Sequence, residues 1–256
     1  MKTLTALLIL IVLVALGAGA YYVYSSRQTA SPPAPQTSTP TEPTVRPLTA
    51  KDTGVQQIKS AHFEDASPGH NEVFAAAPIN VTVNFNFDLA DNSSITVEKD
   101  GVDYGSGATT IDPNKRTMRR NLKASPDGIF IVKYTACWPD RTCHDGQHAF
   151  TIDSSQLGKY SDVTGRAEVE VEMESTAFTI PYLVISKGTK VTWHNHDPVT
   201  HYVNGDTHPF HTFLLALNSE ALTEDAEFSY TFTEPGEYPY HCSAHAAQMT
   251  GRIVVK

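Results

Sequence analysis

The chain is poor in several residue types, and each shortage narrows its possible functions. Its 256 residues include only three cysteines, four methionines and two tryptophans. Basic residues are scarce as well, because 19 Lys and Arg stand against 28 Asp and Glu and give a net charge of −9. That deficit argues against a nucleic-acid partner, since the neutralisation of phosphates requires a basic face. Helical periodicity is not convincing between residues 55 and 155, which leaves β-structure as the expected fold.

One long apolar run is present, at the N-terminus. Lys2 precedes an uncharged stretch over residues 4–24, and a run of roughly 20 apolar residues can span a bilayer. Residues 18–20, Ala-Gly-Ala, also resemble a signal-peptide cleavage site, so a cleaved signal is the alternative. Apolar residues continue past that site, which favours an uncleaved anchor over residues 1–27. In either case the folded part is expected on the periplasmic or extracellular side, membrane-anchored or secreted after cleavage.

The composition divides the rest of the chain into four segments. Residues 28–54 are dominated by Pro, Thr and Ser and cannot form a core, which predicts an extended tether. Turn-punctuated β patterns follow over 55–154 and again over 166–256. The polar residues between them, 155–165, are predicted to be a linker. We therefore expect two folded domains behind the tether.

Short strands separated by turns are typical of both β regions. Residues 79–87 alternate between apolar and polar side chains, which predicts a strand with one solvated face. The basic run NKRTMRRNLK at 114–123 likewise indicates a solvated strand face. Further strands are expected at 129–138, 167–173, 183–185, 190–194, 228–233 and 252–255. The predicted fold class is all-β, with two tandem antiparallel β-sandwich domains behind the N-terminal segment.

The cysteines divide into a close pair and a single residue. Cys137 and Cys143 bracket the short loop CWPDRTC, and outside the cytoplasm such a pair most often forms a disulfide. A redox or metal pair is the alternative, but the spacing fits neither a C-x-x-C motif nor a zinc site. Cys242 is left without a partner, and metal ligation would explain a free thiol in an oxidising compartment.

The C-terminal segment EYPYHCSAHAAQMTGRIVVK places soft metal ligands close together. Cys242, His245 and Met249 lie within one turn-like stretch between two β-forming segments. Thiolate and thioether are soft ligands and imidazole suits copper, so two His, one Cys and a weak axial Met form a blue-copper site. The second histidine would come from KVTWHNHDPVTHYV, residues 190–203, where His201 follows a predicted strand and a short polar loop.

Residues 166–256 resemble the cupredoxins, the family of plastocyanin, pseudoazurin and amicyanin. The resemblance rests on GTKVTWHNHDPVTH, on TFTEPGEYPYHC and on the spacing C-x-x-H-x-x-x-M. It implies a Greek-key β-sandwich that holds one type 1 copper ion through four ligands: His201, Cys242, His245 and Met249. The spacing from His245 to Met249 lies between the shorter loop of amicyanin and the longer loop of plastocyanin.

Five further histidines of this region are not part of that ligand set. A histidine on a strand or loop is more often a polar surface or core residue than a ligand, so we expect solvated loop side chains at His194, His196, His208, His211 and His241. His208 and His211, within DTHPFH, would then shape the surface where electrons enter or leave.

Residues 61–153 resemble the CopC-like copper-resistance domains. The resemblance rests on the opening AHFEDASPGHNEVFAAAPINVTVNF and on the closing YTACWPDRTCHDGQHAFTID. It implies a Cu(II) site in which His62 and Asp145 are ligands, while Gln147 stands at the position of the family's second histidine. The missing imidazole would have to come from another histidine: His144, His148 or His70. A purely structural sandwich is the alternative.

The leading functional hypothesis is electron transfer by a membrane-tethered blue-copper protein. Such a protein accepts an electron from one redox partner protein and passes it on, and the resemblance implies docking near His245. No substrate turnover is required, so we predict that the chain is not an enzyme.

Two other functions remain open. Copper binding, buffering or delivery at the outer face of the membrane is motivated by the CopC-like domain. Catalysis, as in multicopper oxidases or copper nitrite reductases, is suggested by the His241-Cys242 pair and by His194 and His196. Those enzymes need several cupredoxin domains per catalytic unit, whereas this chain has one.

Overall fold

A computed structural model describes residues 48–256 of the chain. The predicted anchor over 1–27, and the predicted tether as far as residue 47, lie outside the described residues. No helix within 48–256 is long and apolar enough to cross a membrane. The predicted all-β class is confirmed for this part of the chain, which contains 18 strands and three short 3-10 helices.

Nine strands form the first sandwich: β1 (Phe63–Ser67), β2 (Val73–Phe74), β3 (Asn80–Phe85), β4 (Ser94–Lys99), β5 (Val102–Asp103), β6 (Gly105–Ile111), β7 (Thr117–Leu122), β8 (Gly128–Cys137) and β9 (Cys143–Ile152). One sheet has the order β1-β3-β7-β6 and the other β2-β9-β8-β4-β5. The core between them is aromatic, with Phe85, Phe130 and Phe150 fully buried. Phe130 and Phe150 stack with their ring centroids 5.4 Å apart.

The long hairpin of β8 and β9 ends in a crosslinked turn. Cys137 and Cys143 face each other at the last register position of the two strands and are joined by a disulfide. The predicted disulfide is therefore confirmed. Inside the turn, the backbone N–H of Trp138 donates to the carbonyl of Thr142 at 2.9 Å.

Nine further strands form the second sandwich: β10 (Ser161–Asp162), β11 (Glu168–Glu174), β12 (Ala177–Phe178), β13 (Tyr182–Ile185), β14 (Lys190–Asn195), β15 (Asn204–Gly205), β16 (Glu227–Thr231), β17 (Gly236–His241) and β18 (Thr250–Val255). Three 3-10 helices accompany them: Ser154–Lys159, Leu215–Leu217 and Ser243–His245. The sheets have the orders β10-β13-β18-β17-β15 and β12-β11-β14-β16. Trp193, Tyr240 and Phe232 fill the core between these sheets.

The sheets are mixed, so the prediction of purely antiparallel sandwiches is wrong. In the second sandwich β11 runs parallel to β14, and β13 runs parallel to both β10 and β18. In the first, β2 runs parallel to β9. The chain crosses between the two sheets of a sandwich before it returns, and a strand reached by a crossover can enter in the same direction as its neighbour.

The segment 155–165, predicted as a linker, contains regular structure. The 3-10 helix begins after Asp153, whose carboxylate accepts a hydrogen bond from the backbone N–H of Ser155 at 3.2 Å. Tyr160 then packs edge-on against Tyr182 with ring centroids 5.3 Å apart. These elements are short and polar, so they leave no periodic signal in the sequence.

Strand β3 is buried on both faces, so the prediction of one solvated face is wrong. All six of its residues are buried. Its polar side chains face the second sandwich: Asn80 Nδ2 donates to the carbonyl of Phe213 at 3.0 Å, and Asn84 Oδ1 accepts from Thr212 Oγ1 at 3.0 Å. These hydrogen bonds offset part of the cost of burying polar groups, while Asn80 Oδ1 and Thr82 Oγ1 have no partner within the described residues.

The basic run on β7 contributes to the same interface, which corrects the prediction of a wholly solvated face. The Arg119 guanidinium donates to the carbonyls of Phe213, at 2.8 Å, and of Thr212. It also pairs with Asp112, with 2.7 Å between Nη2 and Oδ2. Two strands of the first sandwich thus hold one loop of the second.

A buried charge cluster joins the two sandwiches at another point. Arg252 on β18 forms ion pairs with Glu72 of the first sandwich and with Glu237 of the second, the latter at 3.1 Å. Glu237 is fully buried; it also accepts from Tyr160 Oη at 2.8 Å and from the backbone N–H of Ala76 at 2.8 Å. Burial disfavours the charged guanidinium, but the two carboxylates outweigh it and raise the pKa of Arg252.

Candidate metal centre

The loop between β17 and β18 is folded back on itself by backbone hydrogen bonds. The N–H of Cys242 donates to the carbonyl of Met249 at 2.9 Å, and the N–H of Met249 donates to the carbonyl of His245 at 2.9 Å. Between them, the 3-10 helix Ser243–His245 turns the chain. These contacts bring Cys242, His245 and Met249 to one end of the second sandwich.

His201 reaches the same end from the loop after β14. It pairs with Leu222 in an isolated β-bridge. The loop is fixed by Asn195, whose Nδ2 donates to the carbonyls of Val199 at 2.9 Å and Leu222 at 3.0 Å. His201 is completely buried, so its ring has a defined position before any metal binds.

Three donor atoms converge at this point. The Cys242 Sγ lies 3.5 Å from His201 Nδ1 and 3.7 Å from His245 Nδ1. One ligand atom from each of the three residues lies within 4.8 Å of the others. The backbone N–H of Tyr202 points at the sulfur, with 3.4 Å between N and Sγ. A sulfur with two imidazoles suits a soft or borderline metal ion such as copper.

The fourth predicted ligand, Met249, is tied to Cys242 through its backbone carbonyl. Its side chain is 1% exposed and belongs to the same buried cluster as Cys242. A thioether held in an apolar core is a weak, neutral donor that does not disturb the charge balance of the site. The structure therefore brings three of the predicted ligands together through their donor atoms, and it ties the backbone of the fourth, Met249, to Cys242.

Asp197 orients the His201 ring. Its Oδ2 lies 2.8 Å from His201 Nε2, which leaves Nδ1 to face Cys242. Burial alone would raise the pKa of Asp197, but hydrogen bonds from the backbone of Thr176, from His201 and from the backbone of Ser175 lower it. The ionised carboxylate fixes the tautomer and the ring orientation, as carboxylate–histidine pairs do in metal sites.

The residues of the predicted first-domain site lie apart. His62 is exposed; its Nδ1 hydrogen-bonds with Asn86 Oδ1 at 2.8 Å, and its ring stacks on Phe87. Asp145 is exposed on β9 and accepts from Thr135 Oγ1 at 2.7 Å. Within residues 48–256, no group of three or more candidate metal-ligating side chains contains any of the residues proposed for this site: His62, Asp145, His144, His148 or His70.

Strand geometry explains part of this separation. Successive side chains of β9 point to opposite faces, so His144 and His148 lie on one face and Asp145 on the other. His148 is 1% exposed, and within the described residues neither of its ring nitrogens has a hydrogen-bond partner. His144 is exposed near the start of β9. His70 Nδ1 accepts a hydrogen bond from the backbone N–H of Ala149 at 3.3 Å.

The buried His148 should make the fold acid-sensitive. Burial lowers its pKa from 6.5 to about 4. Above pH 6.5, His148 is neutral in both the folded and the unfolded state. Between pH 6.5 and 4 it takes up a proton only in the unfolded state, so the free energy of unfolding decreases by up to about 3 kcal/mol as the pH is lowered. In urea unfolding of the copper-free protein, His148→Leu is expected to reduce this fall, whereas exposed His144→Leu should retain it. Parallel profiles for His148→Leu and the unmodified protein would contradict the assignment.

A group of histidines that sequence reasoning took for solvated residues forms a second cluster. Ligand atoms of His208, His211 and His241 lie within 4.8 Å of one another, and His241 is only 2% exposed. His194 and His196 approach Glu172 in a more open group, with 2.6 Å between His196 Nε2 and Glu172 Oε2. No local signal in the sequence pointed to this cluster, because the segment that carries His208 and His211 is far from His241 along the chain.

The fold and the buried Cys–His–His group define a β-sandwich protein of the copper-binding class. Residues 166–256 match the model of the copper-binding proteins of the plastocyanin/azurin family, and residues 63–153 match the CopC domain. The chain therefore belongs to the plastocyanin/azurin family and also carries a CopC domain. Both predicted resemblances are confirmed, and copper is the metal of this chain.

Similar proteins include two amicyanins and two solved structures. Amicyanin of Paracoccus denitrificans is 32% identical over 109 residues, 41% of this chain and 78% of the relative. Amicyanin of Paracoccus versutus is 28% identical over 144 residues, 55% of this chain and 97% of the relative. A solved CopC from Methylosinus trichosporium OB3b is 24% identical, covers 37% of this chain and 94% of its own, and has a TM-score of 0.34. A solved copper(I) form of a mutant amicyanin is 27% identical, covers 35% of this chain and 83% of its own, and has a TM-score of 0.30.

Proposed function

We propose that this chain transfers single electrons through one type 1 copper ion bound by His201, Cys242, His245 and Met249. The observation that carries the proposal is the convergence of the Cys242 sulfur with two imidazole nitrogens, at 3.5 and 3.7 Å, in a buried site. Copper bound by such a set cycles between Cu(I) and Cu(II). Relatives that share the family and up to 32% identity are named amicyanins, which supports the same use of the site.

The residues around the site would keep it rigid during that cycle. Asp197 holds the His201 ring, and the N–H of Tyr202 donates to the thiolate sulfur. The loop that carries Cys242 and Met249 is tied to itself by backbone hydrogen bonds. Because so little can rearrange, a change in the charge of the ion costs little reorganisation, which suits fast electron exchange.

His245 offers the route for the electron. Unlike His201 and Cys242, His245 is only partly buried, so this residue retains contact with solvent. A redox partner protein would dock at this residue. Such exchange needs no substrate pocket, and we propose a carrier rather than an enzyme.

The proposed location is the periplasmic or extracellular side of the membrane. The disulfide between Cys137 and Cys143 supports an oxidising compartment. The apolar N-terminal run, outside the described residues, would tether the protein there or direct its secretion.

The test is the spectrum of the full-length chain with added Cu(II). An intense blue thiolate-to-copper absorption band is expected, together with an EPR signal of narrow copper hyperfine splitting and at least one copper ion per chain. A protein that binds copper but stays colourless would contradict the electron-transfer proposal.

Copper capture or delivery is the second candidate function, because residues 63–153 match the CopC domain. In that case copper should leave the chain readily. Transfer of bound copper to a competing chelator, measured in both oxidation states, separates the two functions: a carrier retains its ion through repeated oxidation and reduction, whereas a delivery protein releases it.

A further inference from the structure

The cluster of His208, His211 and His241 has the features of a second metal site. His208 and His211 lie in the loop after β15, and His241 is the last residue of β17. The ring centroids of His211 and His241 are 5.1 Å apart, and that of His208 lies 5.6 and 5.5 Å from them. Three imidazoles can meet a single ion from this arrangement after small ring rotations, since their ligand atoms already lie within 4.8 Å.

His241 presents a buried nitrogen that lacks a partner. Its Nδ1 lies 2.8 Å from Asp206 Oδ1, which leaves Nε2 as the free ring atom. Among the described residues, no group hydrogen-bonds this buried Nε2. An unpaired buried polar atom carries a desolvation cost that an ion would remove. The pairing of a carboxylate with the far nitrogen is also the arrangement that orients histidine ligands in metal sites.

The His211 ring is held in place at the cluster, where it lies partly buried beside His241. Its Nε2 lies 3.0 Å from Ser243 Oγ, which fixes the ring. His208 is exposed at the outer side of the cluster and leaves a path from solvent.

The first sandwich fixes the loop that carries these residues. Arg119 and Asn80 bind the carbonyl of Phe213, and Asn84 accepts from Thr212 Oγ1. Both anchor points lie one or two residues after His211. A loop held in this way presents its ligands in advance, which reduces the entropy lost on binding.

We propose that His208, His211 and His241 bind a second copper ion, with one coordination position open toward solvent beside His208. Imidazole nitrogens suit several transition metals, but Cu(II) lies at the top of the affinity order for divalent ions at such sites. The fourth position would accept water or a small anion. This assignment depends on the three-histidine geometry and not on the type 1 site.

The location of the site adds a connection that rests on the proposed function. His241 and Cys242 are consecutive residues, so a single peptide link separates a ligand of one ion from the thiolate of the other. One electron given up by Cu(I) at Cys242 would reduce Cu(II) at the three-histidine site, without transfer of a proton or a group.

The experiment is a Cu(II) titration of the full-length chain, followed by EPR and copper counting. The unmodified protein is expected to show a second Cu(II) signal of ordinary, wide hyperfine splitting, and azide should perturb that signal through the open position. Substitution of the exposed His208 by Gln (His208→Gln) should weaken the binding of this second copper ion at least 10-fold and leave any blue band unchanged. His211→Gln provides a second variant, and His196→Gln is the matched control from the other histidine cluster.

Several outcomes would overturn the proposal. One is a Cu(II) EPR signal of wide hyperfine splitting that survives both His208→Gln and His211→Gln. A second is a wide signal that is lost only in His196→Gln or His62→Gln. Another is a chain that binds zinc but no copper at this cluster. Absence of the blue band would refute the type 1 proposal alone, because the wide signal and its loss in His208→Gln are measured separately.

Discussion

The Cys242→Ser variant is expected to lose the blue absorption completely while it keeps the fold. The band arises from charge transfer between a thiolate and copper, and a hydroxyl of nearly the same size cannot supply that thiolate. The backbone N–H of Tyr202, 3.4 Å from the sulfur, can donate to the serine oxygen instead. Visible absorption at saturating Cu(II) measures the effect.

The control for this variant is His196→Gln. His196 is exposed and lies with Glu172, away from the Cys242 group, so the band should be unchanged. Because Cys242 is completely buried, far-UV circular dichroism must show that the serine variant is folded. A blue band that survives in the folded serine variant would show that Cys242 is not the ligand.

The candidate type 1 site was predictable because its signals are local. Cys242, His245 and Met249 lie within eight residues, and the strands on both sides have clear β character. His201 required one long-range step, from a loop to the C-terminal turn. That step was available only because the order of strand, histidine and Cys–His–Met turn resembles a known family.

The parts that sequence reasoning missed depend on contacts between the sandwiches. Strand β3 alternates as a half-solvated strand does, yet the second sandwich covers its polar face. Arg119 lies in a basic run but pairs with Asp112 and with backbone carbonyls of the other sandwich. Nothing in the local pattern distinguishes a polar face that meets water from one that meets a neighbouring domain.

The three-histidine cluster was missed for a related reason. His208 and His211 are 30 or more positions before His241, and only the pairing of β15 with β17 brings the two segments together. Polar residues in a loop are most often solvated, so each histidine alone gave no reason to expect a ligand. The burial of His241 beside Asp206 is a property of the folded molecule.

The Arg252→Met variant is expected to lose about 3–5 kcal/mol of stability, because it leaves the buried Glu237 and the partly buried Glu72 without their cation. In the unmodified protein burial raises the pKa of Glu72, and Arg252 opposes that rise. Without the guanidinium the pKa of Glu72 should rise further, so protonation stabilises the folded variant. Its deficit should therefore be largest near pH 7.5 and shrink as the pH falls toward 5. Urea unfolding of the copper-free protein measures both effects.

Two further variants separate the buried cluster from a general effect of losing an arginine. Arg116 pairs with Asp88 at 3.3 Å on the surface, with both side chains more than half exposed, so Arg116→Met should cost less than about 1 kcal/mol. Adding Glu72→Gln to Arg252→Met should restore part of the lost stability, because one uncompensated charge is removed. Equal losses for Arg252→Met and Arg116→Met would mean that the charge cluster contributes little to joining the sandwiches. A large loss confined to Arg252→Met and relieved by Glu72→Gln would identify it as the electrostatic contact that holds the CopC domain against the copper-binding sandwich.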